Sequence, residues 1–117
     1  MNEFDADDKS LLYRNKSGSV SILVYGERLR ILYGNVVLDQ TYAEFMYLMK
    51  MINSLYRYIN EVRQLYYRRF LINMQKYSFS LALNSSEIRE MYELLGGAKT
   101  MMELKSLING AISPNKN

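Results

Sequence analysis

The chain has 117 residues, of which 49% are hydrophobic and 23% are charged, and this composition is typical of one small globular domain. It contains no histidine and no cysteine, which excludes disulfides, thiolate nucleophiles, histidine general bases and zinc sites built from those residue types. The net charge is +3, but residues 1–8 carry four acidic side chains and no basic one, whereas residues 9–76 carry eleven basic and four acidic ones. We therefore interpret residues 1–9 as an acidic flexible tail. The basic middle of the chain can attract nucleic acid, anionic lipid or an acidic protein surface, but the favoured interpretation is that its arginines simply solvate exposed faces.

The first part of the chain predicts a β-meander. Between residues 10 and 38, β-branched and aromatic residues alternate with polar ones, and turn residues interrupt them at residues 15–18, 26–27 and 34–35. Because connections this short require antiparallel neighbours, the pattern predicts an antiparallel sheet of three or four strands.

A long helix is predicted to follow this sheet. Thr41 and Glu44 have the spacing of a capping box. Apolar residues then follow at spacings of three and four, which is typical of a helix that packs on another element: Phe45, Leu48, Ile52, Leu55, Ile59 and Val62. An unbroken helix to Tyr66 would be about 39 Å long. Either Asn60 ends this helix early, or its far end packs on a partner chain.

The rest of the chain predicts a second β-hairpin, from residues 70–74 and 77–83, followed by two short helices. Asn84 and Glu87 cap the first of these helices, and Gly96-Gly97 ends it. A further capping box, Thr100 to Glu103, opens the second helix, which Asn109-Gly110 ends. Glu90 and Glu93 are expected to face water.

The predicted fold class is therefore α+β. It comprises an antiparallel β-meander, one long helix, a second β-hairpin, and two short C-terminal helices packed on the sheet. We expect a single domain over residues 10–110 and a flexible C-terminal tail over residues 111–117.

Short scaffold motifs carry a resemblance to a known family: Leu32 to Leu38, Glu44-Phe45, Phe79 to Leu83, Glu87-Ile88 and Tyr92 to Leu95. Through these motifs, residues 10–108 resemble a domain of unknown function found in small proteins of Bacteroidetes-type bacteria. In that family a strand ends in an aromatic-Gly-Asn turn before a helix, and a Leu-rich strand leads to a short helix. Relatives often have cysteines where this chain has Tyr25-Gly26-Glu27-Arg28. If those cysteines bind metal, this chain has lost the site, so the resemblance implies a fold but no function.

Arginine and tyrosine are interleaved between residues 56 and 69, where Glu61 is the single acidic residue. Arginine binds phosphate through paired hydrogen bonds, and tyrosine offers a ring on which a base can stack. The alternative interpretation is a solvated helix face whose tyrosines cover the edge of the core. The candidate nucleic-acid contacts are Arg57, Tyr58, Arg63, Tyr67, Arg68 and Arg69.

The chain is also rich in tyrosine and methionine, with eleven and eight residues. Both residue types suit surfaces that bind other proteins, including a copy of the same chain. The candidate protein interface on the long helix is Met49, Tyr56, Ile59, Val62 and Tyr66.

The sequence contains no catalytic motif and no phosphate-binding loop, so we expect no enzyme activity, metal, cofactor or small-molecule substrate. The polar, acidic start and the lack of a long apolar run predict a cytoplasmic protein with no membrane contact. We expect a non-catalytic binding or adaptor domain that acts through protein contacts or homodimerisation. The alternative is a small nucleic-acid-binding module that uses the basic Tyr/Arg surface.

Overall fold

The structure, a computed structural model, describes residues 10–23, 28–62, 69–74 and 78–109. These residues form a four-stranded antiparallel sheet, a helix, a two-stranded hairpin and a C-terminal helix, which confirms the α+β prediction. The elements in chain order are β1 (Leu11–Asn15), β2 (Gly18–Ile22), β3 (Arg28–Tyr33), β4 (Val36–Thr41), α1 (Tyr42–Glu61), β5 (Phe70–Met74), β6 (Phe79–Leu83) and α2 (Ser85–Asn109). The end of the predicted β2 strand and the start of the predicted β6 strand lie outside the described residues.

The four-stranded sheet has the strand order β1-β2-β3-β4, as a meander requires. Its register aligns Val20, Ile31 and Leu38 in one row across β2, β3 and β4, and all three side chains are buried. The neighbouring row on the opposite face holds Ser21, Arg30 and Asp39. Because side chains alternate along a strand, one face of the sheet is apolar and the other polar.

Helix α1 begins where the capping box predicts. The Thr41 hydroxyl accepts a hydrogen bond from the Glu44 amide at 3.1 Å, and the Glu44 carboxylate accepts one from the Thr41 amide at 2.8 Å. The helix ends at Glu61, because Val62 has extended backbone angles. Its 20 residues span about 30 Å. The helix therefore ends near Asn60, as one of the two alternatives predicted, and it does not continue unbroken to Tyr66.

The prediction of two short C-terminal helices is wrong, because α2 is one helix from Ser85 to Asn109. Gly96 and Gly97 are both helical, and among the described glycines only Gly34 has a positive φ, at 56°. A glycine ends a helix by adopting the left-handed conformation, which neither of these two does. Thr100 consequently lies inside the helix instead of capping a new one.

Gly97 instead serves the packing of α2 on the sheet. A Cβ atom built at residue 97 would lie 2.5 Å from the Tyr13 ring, whereas one at residue 96 would meet no atom within 4 Å. The missing side chain therefore lets the helix backbone approach the Tyr13 ring on β1.

The two helices pack against each other and on the apolar face of the sheet, with α1 on β3 and β4 and α2 on β1 and β2. They run antiparallel, since Arg89 donates to Asn60 at 3.2 Å and the Tyr92 ring stacks on Tyr56 at 3.7 Å between ring centroids. Ile72, Met74, Leu81 and Leu83 of the hairpin join the same core. No helix among the described residues is long and apolar enough to cross a membrane.

The close approach at Gly97 predicts opposite effects for two adjacent substitutions. Gly97→Ala forces a methyl group into the Tyr13 ring and should lower the free energy of unfolding by about 1–3 kcal/mol. Gly96→Ala adds a methyl group in open space and should raise it by about 0.5–1 kcal/mol, since alanine favours the helix. Urea denaturation of the two variants measures both effects, and equal stabilisation by both would contradict this packing.

Candidate binding surfaces

The residues predicted as a protein interface on α1 mostly face the interior. Ile59 is 4% exposed and belongs to the core, and the Tyr56 ring is stacked on Tyr92 of α2. Met49 and Val62 are half-buried against the core. Tyr66 lies outside the described residues. The structure therefore uses most of this seam to hold the fold together.

A different side of α1 carries its exposed apolar side chains. Tyr47 and Tyr58 are 61% and 41% exposed, and the half-buried Met51 lies between them in the sequence. At spacings of four and seven residues the three lie on one side of the helix. We call them the tyrosine stripe. The Tyr58 ring meets the Phe70 ring edge to face, with centroids 6.1 Å apart, so the stripe reaches strand β5.

The predicted nucleic-acid contacts are only partly within the described residues. Arg57, Tyr58 and Arg69 are exposed. Arg57 and Tyr58 lie on different sides of α1, because consecutive helical residues are about 100° apart around the helix axis. Arg63, Tyr67 and Arg68 lie outside the described residues.

The hairpin has one buried and one exposed face. Ile72 and Leu81 are paired in register and buried, whereas Leu71, which is paired with Ala82, is 72% exposed. The two strands contain no charged residue and no proline, and their five residue pairs run without a bulge. Among the described residues each strand of the hairpin pairs only with the other, so each has an open edge.

A cluster of tyrosines and glutamates joins α2 to the sheet. The Tyr33 hydroxyl donates a hydrogen bond to Glu90 Oε1 at 2.8 Å, and both the Tyr13 hydroxyl and the Asn15 side-chain amide donate to the Glu93 carboxylate. The expectation that Glu90 and Glu93 face water is therefore wrong. The sequence pattern was compatible with this contact: Tyr13 and Asn15 share one face of a strand, and Glu90 and Glu93 share one face of a helix.

The electrostatics of this cluster favour protonated phenols. Partial burial and the hydrogen bond to Glu90 raise the pKa of Tyr33 well above its ordinary value. The hydrogen bond to Glu93 is the main cause of a raised pKa at Tyr13. A phenol with a raised pKa stays protonated at neutral pH, so these two hydroxyls remain hydrogen-bond donors to the glutamates and hold helix and sheet together.

On the polar face of the sheet, Arg30 forms two hydrogen bonds with Asp39, at 2.7 and 2.9 Å. These bonds are the main reason why the pKa of Asp39 is lowered. Arg28 donates to the Asp39 carbonyl oxygen at 3.0 Å. Within the described part of the chain, no group of three or more acidic side chains could hold a metal ion.

The raised pKa of Tyr33 predicts a loss of stability in alkali. The folded state favours the phenol, so the stabilising effect of Tyr33 is complete below its unfolded pKa of about 10 and is lost as the pH rises above that value. We expect Tyr33→Phe to cost about 1 kcal/mol of unfolding free energy at pH 8, where it removes one hydrogen bond.

This cost should shrink between pH 10 and pH 11 in parallel urea titrations of wild type and variant. Tyr47→Phe is the matched control, because Tyr47 is largely exposed. A cost of Tyr33→Phe that stays constant across this pH range would contradict the assignment.

Comparisons with known proteins bear on the whole chain. No curated protein and no solved structure matches it. The model of one family, described as a family of unknown function (DUF6686), matches residues 6–113, which include every described strand and helix. The chain therefore belongs to the DUF6686 family of unknown function.

Proposed function

We propose that the protein is a non-catalytic binding domain that acts through protein contacts, and that its partner is a second copy of the same chain. The observation that carries this proposal is the hairpin of β5 and β6, where Leu71 is 72% exposed on a two-stranded sheet without a charged residue. The absence of histidine and cysteine from the whole sequence supports a role without catalysis.

The open edges of this hairpin are suited to accept another strand. Proteins commonly protect an edge strand with lysine, proline, an inward charge or a bulge, and β5 and β6 have none of these. A two-stranded sheet is marginal alone, and further strands stabilise it. Pairing with a partner strand extends this two-stranded ladder, which has no third strand among the described residues.

The simplest strand to add is the same edge strand of a second copy of the chain. Two identical edges can pair antiparallel around a twofold axis, which gives a closed dimer with a four-stranded sheet. Because neither strand is charged, the two copies bring no like charges together along this edge. The tyrosine stripe on α1 reaches the hairpin through Tyr58 and Phe70 and adds apolar area beside the edge.

That the protein comes from Bacteroidetes-type bacteria and that it lies in the cytoplasm both stay predictions from the sequence. The nucleic-acid alternative also stays a prediction, since Arg57 and Arg69 are exposed but half of its named contacts lie outside the described residues.

A charge on the hairpin should abolish self-association. We expect light scattering of the wild-type protein to give twice the chain mass at high concentration, and Leu71→Lys to give a monomer, because lysine protects edge strands. Leu107→Lys is the matched control, because Leu107 is 82% exposed near the C-terminal end of α2 and belongs to neither strand of the hairpin. At protein concentrations low enough for all three proteins to be monomers, each change should alter the unfolding free energy by no more than about 0.5 kcal/mol, since both side chains are exposed.

A wild-type monomer at every concentration, or a dimer that survives Leu71→Lys, would contradict the proposed dimer. The same samples with a short oligonucleotide test the alternative. Nucleic-acid binding should weaken steeply between about 50 and 200 mM salt, whereas an apolar protein dimer should not.

A further inference from the structure

The polar face of the four-stranded sheet carries a depression that is separate from the hairpin. Its volume is about 410 Å³, and it lies where β1 turns into β2, beside the end of β3. Its lining is Arg14, Asn15, Lys16, Ser17, Gly18, Ser19, Leu32 and Gly34. Both helices pack on the other face of the sheet, so neither closes this depression.

The charge of the depression is positive. Arg14 and Lys16 are exposed, and no acidic residue is among the lining residues. Arg28 and Arg30, on the same face of the sheet, already bond to Asp39. Arg14 and Lys16 form no hydrogen bond or ion pair with any residue in the described part of the chain.

Two serine hydroxyls accompany these cations. Ser17 and Ser19 both line the depression, and Ser19 is opposite Arg14 in the strand register. Ser19 as a whole residue is 8% exposed, and its hydroxyl forms no hydrogen bond with a described residue. The hydroxyl oxygen itself is open to solvent, so water or a molecule that enters the depression can bond to it.

The turn beneath these side chains is held in place. The Asn15 side-chain oxygen accepts hydrogen bonds from the Ser17 amide at 2.8 Å and the Gly18 amide at 3.1 Å. The Asn15 side-chain amide donates in turn to Glu93 of α2. The Ser17 and Gly18 amides are thus occupied, so a ligand would rely mainly on side chains.

We propose that this depression binds a small organic phosphate. Arg14 and Lys16 neutralise the phosphate group, and the hydroxyls of Ser17 and Ser19 donate hydrogen bonds to its oxygens. The depression is shallow and open to solvent, and it has room for an organic group beside a phosphate. The half-buried Leu32 offers an apolar contact to the organic part.

This site does not depend on the proposed dimer, because it uses no residue of the hairpin or of α1. The two proposals can therefore fail separately.

An NMR titration of the full chain tests the site with three probes: phenyl phosphate, inorganic phosphate and uncharged benzyl alcohol. We expect phenyl phosphate to shift the amide signals of residues 14–19 and 32, and to bind about tenfold more tightly than inorganic phosphate, because it adds apolar contact. Benzyl alcohol should not bind, since it lacks the charge.

Variants then locate the site. Arg14→Ala combined with Lys16→Ala should weaken phenyl phosphate binding at least about tenfold, since charge-assisted hydrogen bonds are lost. Ser19→Ala should weaken it several-fold without changing the charge. Lys50→Ala combined with Lys105→Ala is the matched control, because it removes two positive charges from the helices, outside the depression.

Equal weakening by the control pair would overturn the proposal, because binding would then follow net charge alone. Shifts centred elsewhere, or equal affinity for phenyl phosphate and inorganic phosphate, would overturn it too. Much tighter binding of a single-stranded oligonucleotide would replace the small ligand with a polymer and would also overturn it.

Discussion

The close contact between the α2 backbone and the Tyr13 ring determines how the layers of this protein fit together. Gly97 has no side chain, so the helix can approach β1 at this point. One turn earlier, Glu93 comes within reach of the Tyr13 hydroxyl and the Asn15 amide, and two turns earlier, Glu90 comes within reach of Tyr33. The hydrogen bonds of these two carboxylates to the strands thus lie on the same side of α2 as the close approach at Gly97.

This arrangement leaves particular surfaces open. Because both helices lie on the apolar face of the meander, the opposite face keeps Arg14, Arg30 and Asp39 accessible or only partly buried. The hairpin contributes its buried face to the common core, and no third strand among the described residues pairs with it. The proposed phosphate site and the proposed dimer edge therefore occupy separate elements, and both follow from where the helices pack.

Local signals in the sequence predicted the elements whose structure depends on local interactions. The capping boxes of Thr41 with Glu44 and of Asn84 with Glu87 are both present, since each needs only residues three apart. The strands follow alternation and short turns for the same reason. Gly96-Gly97 and the Thr100 to Glu103 pattern also resemble a helix end and a helix start, but contact with Tyr13, far away in the sequence, outweighs them.

The candidate protein interface on α1 also shows that local sequence patterns cannot predict tertiary contacts. Periodicity identified an apolar seam on α1, but it cannot say which apolar side faces a second helix of the same chain. Tyr56 packs on Tyr92 of α2, whereas Tyr47 and Tyr58 are exposed. The exposed hairpin face also depends on tertiary packing, because alternation predicts two faces of β5 without showing that nothing in the described chain covers Leu71.

The most direct test of the proposed hairpin edge is amide hydrogen exchange of β5 and β6 at low and high protein concentration. Edge pairing between two copies predicts that in one of the two hairpin strands the amides pointing away from the other strand become protected only at high concentration, while the amides of β2 and β3 stay unchanged. If the outward amides of both hairpin strands exchange equally fast at the two concentrations, the hairpin does not pair with a second copy and the proposed dimer is wrong.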